Sequence, residues 1–284
     1  MSDQLLVIID PVARRTEGES VRIAKDVLSA GAATKICLPD GPEEFARALA
    51  RKGSRRPVVV GDDHALIRAV SLLHRQRELT GCVLSVVPVG GTLTLAETLG
   101  LPTGAVAAAR AVLDGVEHRM DLLVDDSDGV VLGGLRIPPP APPEGPAGAT
   151  AVLTEEGAGH PWLLQSYRSL VRTLAARPPR AAAVTHNPGP PRLRVEVDGA
   201  RLVDLDQPVE AVSVVPGDLG TAEVEVRPAS VGAEATPLRA AGRTVTVSGT
   251  NFRYRADTVV TGPVRTRTWR VMEEAWRLTV PKAG

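Results

Sequence analysis

The fold is decided by the stretch Pro88-Val-Gly-Gly-Thr-Leu-Thr-Leu-Ala-Glu-Thr-Leu-Gly-Leu-Pro102, where an apolar run enters a loop of small residues and then a helix. A second stretch, Val58-Val-Val-Gly-Asp-Asp-His-Ala-Leu66, has the same organisation, and a third loop, 10–15, follows the first apolar run. In open α/β sheets, ligands bind beyond the carboxyl ends of the strands, where glycine lets backbone N–H groups approach a phosphate. The three loops therefore predict a phosphate-binding site, although simple tight turns also use glycine.

Around these loops, the first 125 residues alternate apolar strands with amphipathic helices. The pattern predicts strands at 5–9, 34–38, 57–60 and 82–87, and helices at 20–30, 42–52, 62–75, 93–99 and 105–114. Such alternation is typical of a parallel sheet covered by helices on both faces. We therefore expect an N-terminal three-layer α/β nucleotide-binding domain over residues 1–125.

The pattern changes after residue 125. The proline-rich connection 137–146 favours an irregular segment, because proline lacks a backbone donor and has a fixed φ, and we expect 125–146 to be largely irregular and exposed. A helix is predicted at 161–175. Short alternating segments at 193–197, 209–215, 222–226, 244–247, 252–254, 267–271 and 276–280 predict a C-terminal antiparallel β-sandwich domain over 126–284.

The composition narrows the function classes. The 284 residues carry 33 basic and 33 acidic side chains and only 2% aromatics, so neither general attraction to nucleic acid nor a base-stacking platform is indicated. Cys37 and Cys82 fall in predicted strands, which favours buried reduced thiols. No apolar run approaches the roughly 20 residues of a membrane-spanning helix. We expect a cytoplasmic protein without a transmembrane segment.

Taken in order along the chain, these motifs resemble the diacylglycerol kinase family of lipid kinases, within the NAD kinase and diacylglycerol kinase superfamily. Asp10-Pro11 stands where the family has Asn-Pro. Gly61-Asp-Asp-His-Ala65 is similar to its Gly-Gly-Asp-Gly-Thr run, with Gly61 and Asp63 matching. Pro88-Val-Gly-Gly-Thr-Leu93 resembles its Pro-x-Gly-Thr-Gly-Asn loop. Asp121 and Asp257 also match, but Thr258 and Val259 replace the Gly and Glu of the family's Asp-Gly-Glu.

The resemblance implies an ATP-dependent lipid kinase that transfers the γ-phosphate to a lipid hydroxyl such as that of diacylglycerol, with ATP and Mg²⁺ as cofactors. It implies a catalytic or metal-anchoring role for Asp63, with Asp62 as a second metal ligand. The implied nucleotide-binding residues are Asp10, Arg14, Gly61, Asp62, His64, Gly90, Gly91 and Thr92. It further implies a lipid substrate at the membrane surface, a location peripheral to the membrane, and a homodimer.

The departures from the family pattern keep other interpretations open. Asp62 adds negative charge near the expected phosphates, His64 adds a side chain where the family has glycine, and Val259 removes a candidate base. The alternative is therefore a catalytically impaired pseudokinase of the same fold that binds a nucleotide or lipid. A third, less favoured hypothesis is an NAD kinase-like enzyme that phosphorylates a dinucleotide. The acidic pair is also typical of a helix N-cap, and Arg265, Arg267 and Arg270 are typical of a solvated strand face.

Overall fold

A computed structural model describes residues 4–140, 189–217, 219–229 and 236–282 of the chain. The predicted helix at 161–175 and residues 141–146 of the proline-rich connection lie outside this described part. Within it, the chain forms six helices and fourteen strands. None of its helices is long and apolar enough to cross a membrane.

The N-terminal part is a parallel sheet between two layers of helices, as predicted. Its strands lie in the order β4-β3-β1-β2 and are β1 (Leu5–Ile9), β2 (Thr34–Cys37), β3 (Arg56–Gly61) and β4 (Val83–Pro88). Its helices are α1 (Pro11–Thr16), α2 (Gly18–Gly31), α3 (Pro42–Ala50), α4 (Asp63–Arg75), α5 (Thr94–Thr98) and α6 (Ala105–Asp114). Only α1, a single short turn after β1, is absent from the predicted elements.

Side-chain alternation in β1 explains the three layers. Leu5, Val7 and Ile9 face a core that α2 and α6 cover. Leu6 and Ile8 face the opposite core, which α3 and α4 cover. Because successive strand side chains point to opposite faces, a strand that is apolar at every position must be covered on both sides. The unbroken run of aliphatic residues therefore fixes the position of β1 in the middle layer.

The remaining strands form the antiparallel part that the sequence predicts. They are β5 (Val116–Asp125), β6 (Val130–Val131), β7 (Leu135–Ile137), β8 (Leu193–Val197), β9 (Ala200–Val203), β10 (Val209–Pro216), β11 (Ala222–Pro228), β12 (Leu238–Gly242), β13 (Thr244–Ala256) and β14 (Val259–Val280). Their inward side chains make a second core around Tyr254 and Trp269, whose rings meet edge to face at 5.2 Å. The fold class, α/β followed by an antiparallel β part, is confirmed.

The last strand joins the two parts. The sequence pattern predicts two short strands, at 267–271 and 276–280, but β14 is one strand of 22 residues. It pairs antiparallel with β13 and β5, and its end pairs parallel with β4. A bulge lies between Met272 and Trp276, where Glu274 has a positive φ of 47° and donates its N–H to Asp121. The domain boundary at residue 125 stays a prediction.

Two expectations need correction. Residues 125–137 are not irregular throughout, because β6 and β7 lie there and β7 is hydrogen-bonded between β10 and β13, whereas 126–129 and 132–134 are turns and loops. Strands of two or three residues next to glycine and proline are too short for alternation to reveal them. Cys37 is only half-buried, since β2 is an edge strand, whereas Cys82 is buried; both thiols are free.

Candidate functional site

A cleft of about 490 Å³ lies beside the N-terminal ends of α4 and α5. One side, here called the helix wall, is formed by α4, α5 and the loop before α5. The other side, here called the sandwich wall, is formed by β7, β10, β13 and the β13–β14 turn. Of the predicted site residues, Asp63, His64 and Thr92 line this cleft. The loop after β3 therefore contributes to a cavity at the sheet edge where the sequence predicts one.

Asp63 is buried at the start of α4, and its carboxylate faces the start of α5. Its two oxygens accept the N–H groups of Leu95 and Ala96 at 2.9 and 3.1 Å. Its own N–H donates to the carbonyl of Thr92 at 3.0 Å. Burial raises the pKa of Asp63, and the two N–H bonds act in the opposite direction. The side chain therefore ties two helix N-termini together.

Asp62 is the N-cap of α4. One carboxylate oxygen accepts the N–H of Ala65 at 3.1 Å, and the other lies 3.3 Å from Nδ1 of His64. The carboxylates of Asp62 and Asp63 thus serve different helices and do not converge on a common point. Among the described residues, no group of three or more His, Cys, Asp or Glu side chains could hold a metal ion. The arrangement does not fit a magnesium site, and the metal role of the pair stays a prediction that the geometry does not favour.

The glycines of the two loops are needed for close packing. A Cβ at Gly61 would lie 2.9 Å from the Cβ of Asp10, and one at Gly90 would lie 2.9 Å from the Cβ of Asp62. Gly90 also has a φ of +140°, which side chains rarely tolerate, whereas Gly91 has open space around it. Gly61 and Gly90 therefore let the three loops approach one another, which is the structural role that glycine turns commonly have.

Asp10 and Arg14 are engaged away from the cleft. Asp10 is buried; one carboxylate oxygen caps α1 through the N–H of Val12, and the other accepts Arg68 at 2.8 Å. Arg14 pairs with Asp40 at 2.7 Å. Neither belongs to the cleft lining, nor do Gly61, Asp62, Gly90 and Gly91. Their nucleotide-binding roles stay predictions, and the contacts of Asp10 and Asp62 are those of helix caps.

On the sandwich wall, Asp257 is held by a loop that the sequence does not single out. Its carboxylate accepts three consecutive N–H groups: that of Leu132 on Oδ2 at 2.9 Å, and those of Gly133 and Gly134 on Oδ1 at 2.7 and 3.1 Å. Burial raises the pKa of Asp257, the three N–H donors oppose the shift, and the negative charge of Asp63 adds to it. The hydrogen bonds of Asp257 therefore connect the β13–β14 turn to the segment before β7.

Two arginines of the sandwich wall complete the site. Arg136 on β7 and Arg255 on β13 are direct cross-strand partners, so their side chains lie on one face, and Ser213 of β10 is the next residue in the same row. Both arginines line the cleft and are exposed. Among the described residues, neither has a hydrogen-bond or ion-pair partner. The alternation of Leu135-Arg136-Ile137 is a sequence signal for this orientation, but it is too short to be decisive.

No family model and no curated protein matches this chain. Solved structures do resemble it. A diacylglycerol kinase from Bacillus anthracis str. Sterne superposes with a TM-score of 0.67 at 11% identity, covering 99% of this chain and 98% of that one. An NAD kinase from Archaeoglobus fulgidus in complex with ATP gives 0.53 at 12%, covering 98% and 94%. The chain therefore has the fold of these diacylglycerol kinase and NAD kinase structures, and the sequence resemblance is confirmed at the level of fold.

Proposed function

We propose that this chain binds a phosphate-bearing ligand, with a nucleoside triphosphate as the leading candidate, in the cleft between the helix wall and the sandwich wall. The observation that carries the proposal is the pair Arg136 and Arg255, side by side, facing the cleft and without partners among the described residues. Guanidinium groups are planar, always charged and suited to two-point bonding of phosphate oxygens. An anionic ligand would supply the partner that the described residues do not provide for either arginine.

The carboxylates of the cleft support binding more than catalysis. Asp63 accepts two backbone N–H groups and Asp257 accepts three, so both are committed to holding the walls in place. A general base must instead be free to accept a proton from the reacting group. The function that the geometry favours is therefore the non-catalytic alternative, a kinase-fold protein that binds its ligand through phosphate.

The fold comparison supports a nucleotide as the ligand. The NAD kinase structure of the same fold is a complex with ATP. Hydroxyl groups that could donate to phosphate oxygens also line this cleft: Thr92, Thr94, Ser213 and Thr258. ATP therefore fits the chemistry of the lining.

The test is calorimetric titration with ATP, with and without Mg²⁺, of the parent and of Arg136→Gln and Arg255→Gln. A hydrogen bond to a charged group contributes about 1.5–3 kcal/mol, so each variant should bind roughly tenfold or more weakly. Arg270→Gln is the matched control, because Arg270 is an exposed arginine on β14 outside the cleft lining. A parent that does not bind ATP, or a double variant that binds as tightly as the parent, contradicts the proposal.

The second candidate is an ATP-dependent kinase acting on a lipid hydroxyl such as that of diacylglycerol. One observation favours it: burial raises the pKa of Asp257 in the cleft, and a general base works best when its pKa is closer to the operating pH. In that mechanism Asp257 would release a backbone N–H and accept the proton of the attacking hydroxyl. Asp63 would remain a positioning residue.

Transfer of labelled γ-phosphate to dispersed diacylglycerol separates the two candidates. Loss of a general base typically lowers the rate about 10²–10⁴-fold. If the chain is a kinase, the rate of phosphate transfer should fall about 10²-fold or more in Asp257→Asn. The affinity for ATP is measured in parallel. A parent that binds ATP but transfers no label above the protein-free background is a binding protein.

A further inference from the structure

The outward face of the sandwich wall carries a second cavity, of about 680 Å³, which is here called the sheet groove. It lies over β7, β10, β11 and β12. Arg136, Ser213 and Val215 line both the cleft and the sheet groove, so the two cavities adjoin along these side chains. Small-molecule sites typically have volumes of about 300–1,000 Å³. The sheet groove is therefore large enough for a ligand group that continues beyond the cleft.

Strand pairing determines which side chains lie in the sheet groove. One row crosses five strands and consists of Arg255, Arg136, Ser213, Glu225 and Arg239. A second row, two residues further along the strands, consists of Val215, Glu223 and Ala241. Direct cross-strand partners have their Cβ atoms about 5 Å apart. Each row is therefore a series of adjacent side chains that begins at the cleft and leads across the sheet.

Small side chains form the floor of the sheet groove. Ala211 and Ser213 of β10 lie between Arg136 on β7 and two arginines on the far side, Arg227 on β11 and Arg239 on β12. Longer side chains at the two β10 positions would fill this face, whereas alanine and serine leave it flat. Guanidinium groups stack on the faces of planar rings. The arrangement therefore suits a planar ring that lies on the floor with arginines beside it.

The arginines of the sandwich differ in how fully the fold engages them. Arg267 is largely buried and pairs with Asp126 at 2.6 Å, so the expectation of a solvated strand face is wrong for it. In the sheet groove, Arg227 and Arg239 share one acceptor, the carboxylate of Glu225, at 2.9 and 3.0 Å. The hydrogen bonds from both arginines lower the pKa of Glu225. The shared carboxylate holds the two guanidinium groups at the far side of the groove, where both side chains stay more than half exposed.

Glu223 is a carboxylate of the sheet groove that lacks such a partner. It is exposed on β11 beside Ala241, and the described residues provide it with no hydrogen-bond or ion-pair partner. Two strand spacings and two residues along the strand separate it from Arg136, which amounts to about 12 Å between Cα positions. Carboxylates accept hydrogen bonds from sugar hydroxyls in dinucleotide-binding folds. A ligand with phosphate at Arg136 and sugar hydroxyls at Glu223 would therefore match both groups.

We propose that the sheet groove binds the nucleoside part of a nucleotide whose phosphates lie at Arg136 and Arg255. This inference rests on the proposed function, because it concerns the same ligand. The base lies on the floor formed by Ala211 and Ser213, and Glu223 accepts hydrogen bonds from the sugar hydroxyls. The nucleotide thus extends from the cleft across the sandwich sheet, away from the helix wall.

The first test compares two ligands that share the triphosphate. The full chain is titrated calorimetrically with ATP and with inorganic tripolyphosphate, which has no nucleoside. A base that stacks on a protein surface strengthens binding at least about fivefold, so ATP should bind more tightly than tripolyphosphate by at least this factor. Equal affinities for the two ligands would overturn the inference.

Glu223→Gln separates hydrogen bonding from a general effect of charge. ATP should bind about tenfold more weakly to this variant, because a charged acceptor is lost. Tripolyphosphate should bind equally well or more tightly, because a negative charge near an anionic ligand is removed. Glu210→Gln is the matched control, since Glu210 is exposed on β10 outside both linings. If Glu223→Gln binds ATP as tightly as the parent or more tightly, the inference is wrong.

Ala241→Leu tests the space beside Glu223. The larger side chain should weaken ATP binding by at least the same factor as Glu223→Gln and leave the affinity for tripolyphosphate unchanged. Ala200→Leu is the control, because Ala200 is exposed on β9 outside both linings. An unchanged melting temperature in every variant shows that the fold is retained. Undiminished ATP binding by a folded Ala241→Leu variant would contradict the inference.

Photolabelling with 8-azido-ATP, followed by peptide mapping, locates the base directly. We expect the label on β10, β11 or β12, and a label on α4 or α5 would overturn the inference. The titrations also distinguish this inference from the proposed function. A parent that binds neither ATP nor tripolyphosphate contradicts the proposed function, and the inference fails with it. A parent that binds both ligands with equal affinity contradicts the inference alone.

Discussion

The two walls of the cleft use the same kinds of polar groups in different ways. On the helix wall, the carboxylates of Asp62 and Asp63 are taken up by the N-termini of α4 and α5. On the sandwich wall, Asp257 likewise accepts backbone N–H groups, but Arg136 and Arg255 have no hydrogen-bond or ion-pair partner in the part of the chain that the structure describes. The comparison shows that residues matching a kinase motif can be engaged in packing contacts, whereas the residues proposed to bind the ligand are two arginines for which the described residues provide no partner.

The largest effect should come from removing the carboxylate that accepts the most backbone donors. Asp257→Ala leaves three N–H groups without an acceptor, and Asp63→Ala leaves two. An orphaned donor costs about 1–3 kcal/mol when water cannot replace the partner. We expect Asp257→Ala to lower the free energy of unfolding by about 3 kcal/mol or more, and Asp63→Ala by about 2 kcal/mol, as measured by urea denaturation.

Asp114→Ala is the control for both variants, because Asp114 is exposed at the end of α6, where a negative charge opposes the helix dipole. Its effect should lie within about 0.5 kcal/mol of zero. If Asp63→Ala and Asp257→Ala change the free energy of unfolding as little as Asp114→Ala does, the hydrogen bonds of the two carboxylates do not stabilise the fold. They would then be available for catalysis, and the comparison of the walls would fail.

The second largest effect is a difference in stability between alanine variants of two neighbouring glycines in the helix wall, Gly90 and Gly91. Gly90→Ala forces a side chain onto a φ of +140° and a Cβ contact of 2.9 Å with Asp62. Such strain costs about 1–3 kcal/mol. Gly91→Ala meets open space and should change the free energy of unfolding by less than about 0.5 kcal/mol. Equal urea midpoints for the two variants would show that the loop relaxes around position 90.

The smallest effect concerns pH. Burial raises the pKa of Asp63 and Asp257 above the ordinary value of 3.8. A carboxyl with a higher pKa in the folded state stabilises the fold fully below its unfolded pKa, and this contribution is lost as the pH rises through the folded pKa. The stability of the parent relative to Asp63→Asn and Asp257→Asn should therefore fall as the pH rises from about 4.

Urea denaturation at a series of pH values measures this difference, with Asp114→Asn as the exposed control. A relative stability that grows with pH would mean that the N–H bonds outweigh burial and lower both pKa values. In that case the two carboxylates would be held as anions, and the argument for Asp257 as a general base would lose its support.

Much of the fold follows from local sequence pattern. The bounds of β1, β8 and α6 coincide with the prediction. The aliphatic run of β1 and the strict alternation of β8 fit only a strand, and the alanine-rich sequence of α6 fits only a helix, so no other secondary structure matches these patterns equally well. The turn after β3 also follows, since a glycine and two acids between a strand and a helix favour an N-cap. Asp63, His64 and Thr92 reach the cleft because parallel strands end at one edge.

Other features of the fold and of the candidate site depend on contacts between segments far apart in sequence, which the local pattern does not reveal. The three residues of β7 become a strand only because β10 and β13 supply hydrogen-bond partners on both sides, and this pairing places Arg136 beside Arg255. The role of Asp257 likewise depends on the loop 132–134, whose N–H groups converge only in the folded chain. The sequence by itself determined which residues are apolar, turning or charged. Only the tertiary structure decided which charged groups are neutralised internally and which remain free to bind, because that depends on the neighbours that packing brings within hydrogen-bond distance.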